Sequence, residues 1–158
     1  MQTIYRQQNV IFVAGAGRSG FVARAFSNRL MHLGLTVYFV GEPTTPSIQE
    51  GDLLIIASGS GETGSLKVMA EKARKQKALV AAITIFPESS VGKMSDAVIK
   101  VPGITPKSEL ENKVTSVQPM GNAFEQTTWI IFDNVIMILM ERLGKTEEEM
   151  FRLHANLE

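Results

Sequence analysis

The sequence predicts an α/β fold, in which a five-stranded parallel sheet lies between two layers of helices in a flavodoxin-like three-layer sandwich. Five short apolar runs rich in Val and Ile recur along the chain, and segments with helical spacing separate several of them. At 158 residues and 17.3 kDa, the chain has the length of one domain. We therefore expect residues 1–158 to form a single domain.

The apolar runs give the strands in order. We expect them at residues 10–15, 35–41, 52–58, 78–86 and 96–102. The usual flavodoxin-like order is 2-1-3-4-5, which makes the chain change direction between the first and third strands. Ligands of open α/β sheets bind at this switch point, beyond the carboxyl ends of the strands.

Helices are predicted between and after these strands. Apolar residues at steps of four, four and three form one face of a helix within residues 18–33, and a helix with a polar outer face covers residues 63–77. After a turn-rich stretch, a long helix runs to about Leu143 and stops at Gly144. A last short helix begins at the Thr146 cap.

The most apolar part of the long helix is "WIIFDNVIMILM", residues 129–140. Asp133 and Asn134 interrupt it, and it is shorter than the roughly 20 residues that span a bilayer. A helix that is apolar on nearly every side must be buried on nearly every side. In so small a domain, this favours an interface between subunits.

Composition limits the partners. Sixteen basic and sixteen acidic residues give a formal charge of zero, so no positive field favours nucleic acid or an acidic membrane. The absence of cysteine excludes disulfides and thiolate metal sites, and no His/Asp/Glu cluster in the sequence suggests another metal site. The first residues, "MQTIYRQQ", lack the apolar core of a signal peptide, so a cytoplasmic protein is expected.

Two Gly/Ser loops follow the first and third strands, "GAGRSG" at 15–20 and "SGSGET" at 58–63. Glycine lets backbone N–H groups approach a phosphate closely, and hydroxyls and the start of a helix add further donors. Arg18 is expected to pair with phosphate or sugar oxygens, although a surface arginine at a helix start is the alternative. The predicted phosphate-binding residues are Gly17, Arg18, Ser19, Ser58, Gly59, Ser60, Gly61 and Thr63.

Two nucleotide-binding motifs are alternatives for the first loop, and both explain the sequence less well than a phosphate site formed by the two loops. Gly15-x-Gly17-x-x-Gly20, with Glu42 near the end of the next apolar run, fits the dinucleotide fingerprint. That motif does not require a serine-rich loop after the third strand, and no chain remains for a substrate domain. The P-loop motif fails because Phe21 stands where it needs lysine. We expect a small phosphorylated metabolite and no cofactor.

The segments "GAGRSG", "RLMHLG", "VGE", "SGSGET", "QPMGNAFEQ" and "RLHANLE" together resemble the sugar isomerase (SIS) domain family, from Val10 to Glu158. The resemblance implies interconversion of 3-hexulose 6-phosphate and fructose 6-phosphate, in the ribulose monophosphate route of formaldehyde fixation. It also implies a homotetramer that works with hexulose-phosphate synthase. The family generally has a helical segment before the first strand, whereas nine residues precede Val10 here, so the domain is expected to be short at its N-terminus.

This reaction moves a proton between C2 and C3 through a cis-enediol, and a carboxylate is a suitable base. Four glutamates lie near the predicted site. Glu62 lies inside the phosphate loop, and we interpret it as a helix N-terminal acid that points away from the ligand. Glu42 and Glu88 are most simply loop residues. Glu125 matches the base position of sugar isomerases and is the predicted base.

The two histidines are further candidates. His32, near the end of the first helix, is equally well explained as a capping or interface residue. His154 lies in a terminal segment, and terminal elements often complete sites of neighbouring subunits in this family. A 3-ketose phosphorylated on O6 is already open, so ring opening is required only for fructose 6-phosphate. The alternatives are another aldose or ketose phosphate isomerase of this family, a sugar-phosphate sensor without turnover, and a nucleotide-binding module.

Overall fold

A computed structural model describes residues 9–105 and 115–157 and contains one parallel sheet of five strands. The sheet order is β2-β1-β3-β4-β5, which confirms the predicted winding. β1 pairs with β3 over five residues, from Ile11 opposite Leu53 to Gly15 opposite Ala57. The strands are β1 (Ile11–Gly15), β2 (Val37–Phe39), β3 (Leu53–Ala57), β4 (Leu79–Thr84) and β5 (Ala97–Lys100).

Five helices occur in the described residues, and four of them were predicted. The fifth, α3, is only five residues long, which is too short for a periodic apolar pattern to reveal. Its start is capped by Ser89, whose hydroxyl accepts a hydrogen bond from the N–H of Gly92. The helices are α1 (Gly17–His32), α2 (Gly64–Lys75), α3 (Ser90–Met94), α4 (Asn122–Leu143) and α5 (Glu147–Phe151).

The core consists of two apolar clusters, one on each face of the sheet. Successive strand residues point to opposite faces, so Val13 of β1 packs towards α1 and α4 while Phe12 packs towards α2 and α3. Every residue of β3 is buried, as expected for a central parallel strand. The helices on both faces make the predicted three-layer sandwich.

α1 and α4 lie side by side and point in the same direction. The rings of Phe26 and Phe132 stack with their centres 4.0 Å apart and their planes 7° from parallel. Arg18 near the start of α1 meets Asn122 and Glu125 in the first turn of α4. Both helices therefore begin near the carboxyl edge of the sheet, beside the end of β1.

Local sequence signals set the end of α4 and the start of α5. Gly144 ends α4 in the left-handed conformation, with φ of 62°, which glycine adopts without strain. Thr146 and Glu149 form a capping box at the start of α5.

One side of α4 stays uncovered in the single chain. Trp129, Ile130 and Met137 are 47%, 62% and 58% exposed. None of the helices in the described ranges combines the length and apolar character needed to cross a bilayer.

Candidate active site

A cavity of about 560 Å³ lies at the switch point, beyond the ends of β1 and β3. The two Gly/Ser loops form one side of it, and the start of α4 forms another. Seven of the eight predicted phosphate-binding residues line this cavity, and Gly61 does not. The seven are Gly17, Arg18, Ser19, Ser58, Gly59, Ser60 and Thr63.

The second loop presents its serine hydroxyls in a defined orientation. Ser58 Oγ accepts a hydrogen bond from the Gly61 N–H at 3.1 Å, and Ser60 Oγ accepts one from the Glu62 N–H at 3.2 Å. Both serines are buried. Because each hydroxyl oxygen acts as an acceptor within the loop, its hydrogen can be donated to a ligand. The loop is thus arranged to donate to an anion through its side chains.

Thr63 occupies the N-cap position of α2, but its side chain makes no capping hydrogen bond. Threonine at a helix start usually caps the helix through its side chain. Thr63 does not, so its hydroxyl is not used in this way. The first N–H groups of a helix have no partners inside the helix, and they carry a partial positive charge. Thr63 lines the cavity at the start of α2, so its hydroxyl is available there as a hydrogen-bond donor.

Gly61 has a structural role in the same loop. Its φ is +64°, and a Cβ on it would lie 1.9 Å from Ser89 Oγ. A larger residue would therefore both strain the backbone and displace the start of α3. Gly61 sets the shape of the loop from outside the cavity lining.

Glu62 points away from the cavity, as expected, but it serves a different helix from the one next to it in sequence. Its carboxylate accepts hydrogen bonds from the N–H of Ser90 at 2.6 Å and the hydroxyl of Ser90 at 2.7 Å, at the start of α3. Lys67 Nζ lies 3.4 Å away. The bonds from Ser90, aided by Lys67, lower the pKa of Glu62. Its charge is thereby compensated outside the cavity.

Of the four glutamates considered, Glu125 alone lines the cavity. Its side chain is 12% exposed, and its Oε2 accepts a hydrogen bond from Arg18 Nε at 2.5 Å. Glu42 forms an ion pair with Arg24 on the surface, and Glu88 is exposed. The structure thus brings together the predicted base and the predicted phosphate loops.

The two histidines lie elsewhere. His32 is buried, and its ring stacks on that of His154 at 5.3 Å between centres. Both line a second cavity of about 240 Å³, together with Arg29. Burial, reinforced by the charges of Arg29 and His154, lowers the pKa of His32. At 1.5 Å per residue, His32 lies roughly 22 Å along α1 from Gly17, so neither histidine joins the first cavity of its own chain.

Sequence reasoning missed two residues of the site. Phe124 is buried and packs against Gly59, where a Cβ would lie 3.3 Å from its ring, so it supports the second loop. Asn122 lies three residues before Glu125, on the same side of α4, and its Oδ1 accepts a hydrogen bond from Arg18. The three-residue spacing from Glu125 could have indicated Asn122 as a second polar residue of the site. Using it required knowing that α4 begins at Asn122.

The open parallel sheet, with two hydroxyl-bearing loops and a carboxylate around one cavity, defines a protein built to hold a small phosphorylated ligand. Among the described residues, no group of three or more His, Asp or Glu side chains is arranged to hold a metal ion. A model of the SIS domain family matches residues 4–134, and the chain belongs to this family.

Several relatives are similar over most of the chain. The 3-hexulose-6-phosphate isomerase of Bacillus subtilis (strain 168) is 53% identical over 148 residues, 94% of this chain and 80% of that protein. The 3-hexulose-6-phosphate isomerase of Mycobacterium gastri is 43% identical over 152 residues, 96% of this chain and 75% of that protein. A crystal structure from Methanococcus jannaschii, for which a molecular function of 3-hexulose-6-phosphate isomerase was inferred, matches with a TM-score of 0.84 and 40% identity. The match covers 99% of this chain and 82% of that one.

Proposed function

We propose that this protein is a 6-phospho-3-hexuloisomerase, which interconverts D-arabino-hex-3-ulose 6-phosphate and D-fructose 6-phosphate through a cis-enediol. One observation carries the proposal: the Glu125 carboxylate shares a cavity with two loops built to hold a phosphate. Similarity to relatives named 3-hexulose-6-phosphate isomerase, over more than nine-tenths of the chain, supports the choice of substrate.

The phosphate is bound by hydroxyl groups and by the start of α2. Ser58, Ser60 and Thr63 donate from the second loop, and Ser19 donates from the first. The partial positive charge at the start of α2 favours the phosphate dianion. This end of the cavity fixes the substrate at its C6 phosphate and leaves the carbonyl end free to reach α4.

Glu125 is the base. It removes the proton from C2 of the hexulose and returns it to C3, and a cis-enediol keeps both carbons accessible from one side. A single carboxylate can then serve both steps. The reaction needs no cofactor.

The direct test supplies the hexulose phosphate and measures the formation of fructose 6-phosphate, with aldose phosphates as competing substrates. Turnover of the 3-ketose alone is the expected result. Turnover of an aldose phosphate instead would make the protein a different isomerase, and binding without turnover would make it a sensor. Thermal stabilisation by NAD but not by sugar phosphates would contradict the isomerase and the sensor alike, and would make the protein a nucleotide-binding module.

We further propose that the protein is a homotetramer in which His154 and His32 complete a neighbouring subunit's site. The exposed apolar side of α4 supports an interface, and the distance of the two histidines from their own chain's cavity favours a neighbour as the recipient. In this account, the enzyme works in the cytoplasm on the product of hexulose-phosphate synthase, in the ribulose monophosphate route.

A further inference from the structure

The guanidinium of Arg18 is held at the cavity by two groups of α4. Its Nε donates to Glu125 Oε2 at 2.5 Å, and its Nη2 donates to Asn122 Oδ1 at 3.1 Å. Arg18 lies in the first turn of α1, more than a hundred residues away from Asn122 and Glu125 in sequence. The two contacts fix the plane of the guanidinium beside the proposed base.

This position separates Arg18 from the other phosphate-binding candidates. The second loop already supplies hydroxyl groups to the cavity for binding the phosphate. The contact with Glu125 places the Arg18 charge beside the proposed base, where the proton is transferred. Arg18 still lines the cavity, and its Nη1 has no hydrogen-bond partner within residues 9–105 and 115–157.

The proposed reaction has an electrostatic requirement that Glu125 cannot meet. When Glu125 takes the C2 proton of the hexulose, the C–H electron pair forms a C2–C3 double bond, and negative charge develops on O3. The O2 proton then shifts to O3, which places the charge on O2. Finally the C2 carbonyl forms, and Glu125 returns its proton to C3. A fixed cation beside these two oxygens stabilises the charge at each stage.

We propose that Arg18 is a catalytic residue that stabilises the enediolate oxygens through its free Nη1 edge, and that Asn122 is a positioning residue that acts through Arg18. This inference rests on the isomerase function proposed above. It assigns Arg18 to charge stabilisation at the reacting carbons instead of to the phosphate.

The test compares kcat with phosphate affinity in Arg18→Gln. We expect kcat to fall by about 10²–10³, the usual effect of removing one donor to a developing oxyanion. The Kd for inorganic phosphate should stay within about twofold of the parent, because other groups bind the phosphate. Arg18→Lys keeps the charge but not the two-point geometry, and it should recover only part of kcat.

Asn122→Ala tests the positioning role. It should lower kcat in the parent but have little effect in the Arg18→Gln background, because Asn122 acts only through Arg18. An equal loss in both backgrounds would overturn this role.

Arg24→Gln is the matched control. It breaks an ion pair with Glu42 on the exposed surface of the same helix and should leave kcat unchanged.

A rise in KM and in phosphate Kd with unchanged kcat in Arg18→Gln would make Arg18 a phosphate ligand and overturn the proposal. Unchanged kinetics would also overturn it. If the unmodified protein shows no isomerase turnover, the proposed function is wrong, and the catalytic role of Arg18 is then wrong as well.

Discussion

At the scale of single residues, the second Gly/Ser loop, which we propose binds the phosphate, combines internal hydrogen bonds with hydroxyl groups that can donate to a ligand. The Ser58 and Ser60 oxygens accept from backbone N–H groups of their own loop, so the hydroxyls are oriented before a ligand arrives. The sequence predicted these serines as phosphate donors, but it did not show how the loop orients them. That required the turn geometry around Gly61.

Ser60→Ala removes one oriented donor. A hydrogen bond to a charged group contributes about 1.5–3 kcal/mol, so KM for the sugar phosphate should rise about 10-fold or more with little change in kcat. Ser27→Ala is the control, because the Ser27 hydroxyl donates only to a carbonyl of its own helix on the exposed surface. If Ser60→Ala and Thr63→Ala both bind sugar phosphate like the parent, the phosphate binds elsewhere.

Glu62→Gln tests the link between the loop and α3 through its pH dependence. The pKa of Glu62 is lowered from 4.5 by its bonds with Ser90, so the ionised carboxylate stabilises the fold above that value. This contribution is lost as the pH falls through the lowered pKa. Urea unfolding should therefore show a stability difference between parent and Glu62→Gln that is full at pH 7 and shrinks below about pH 4.5. Glu88→Gln, on the exposed surface, is the control. A difference that is equal at pH 7 and at pH 3 would contradict this role.

At the scale of elements, the strands and four helices followed from apolar periodicity and from capping residues, and the sheet order followed from the usual flavodoxin-like winding. The helix α3 did not, because five residues carry too little pattern. The Arg18–Glu125 ion pair could not be predicted either, since it depends on how α1 packs beside α4. The stack of His32 on His154 likewise joins two segments whose meeting no local signal indicates.

Gly61→Ala tests the packing of the second Gly/Ser loop against the start of α3. The left-handed backbone at Gly61 costs a larger residue about 1–2 kcal/mol, and the new Cβ would also collide with Ser89. We expect a lower free energy of unfolding and weaker phosphate binding. Gly64→Ala is the control, because a Cβ at Gly64 would have no atom within 4 Å and the φ of Gly64 is ordinary. Equal stability of the two variants would show that the loop adapts.

At the scale of the whole molecule, the proposed role of the two histidines depends on assembly of several subunits. The first cavity holds the proposed base and the two Gly/Ser loops, while both histidines lie at the far end of α1. The resemblance to sugar isomerases led to His32 and His154 as candidates, but the sequence could not show that they lie apart from Glu125. A shared site reconciles their proposed role with their position.

Mixing two variants, each expected to be inactive if both residues act in one shared site, tests that site. Glu125→Gln and His154→Ala chains, unfolded and refolded together, should regain up to about a quarter of parental activity, since half of randomly formed pairs contain one intact site. Sedimentation of the parent at micromolar concentration should show a tetramer, or at least a dimer. A monomer with full activity, or no recovery in mixtures, would contradict the shared site.

The assignment of Glu125 as the base is tested most directly by measuring proton exchange at the reacting carbons in Glu125→Gln. In deuterium oxide, the parent should incorporate deuterium at C3 of fructose 6-phosphate, and NMR should detect no incorporation above background by Glu125→Gln. The same variant should lose about 10²–10⁴ in kcat with little change in KM, the usual contribution of a general base. Glu42→Gln, which lacks only a surface ion pair, should behave like the parent. Near-parental turnover and exchange in Glu125→Gln, with loss of both in Glu42→Gln or Glu88→Gln, would contradict the assignment of Glu125 as the base.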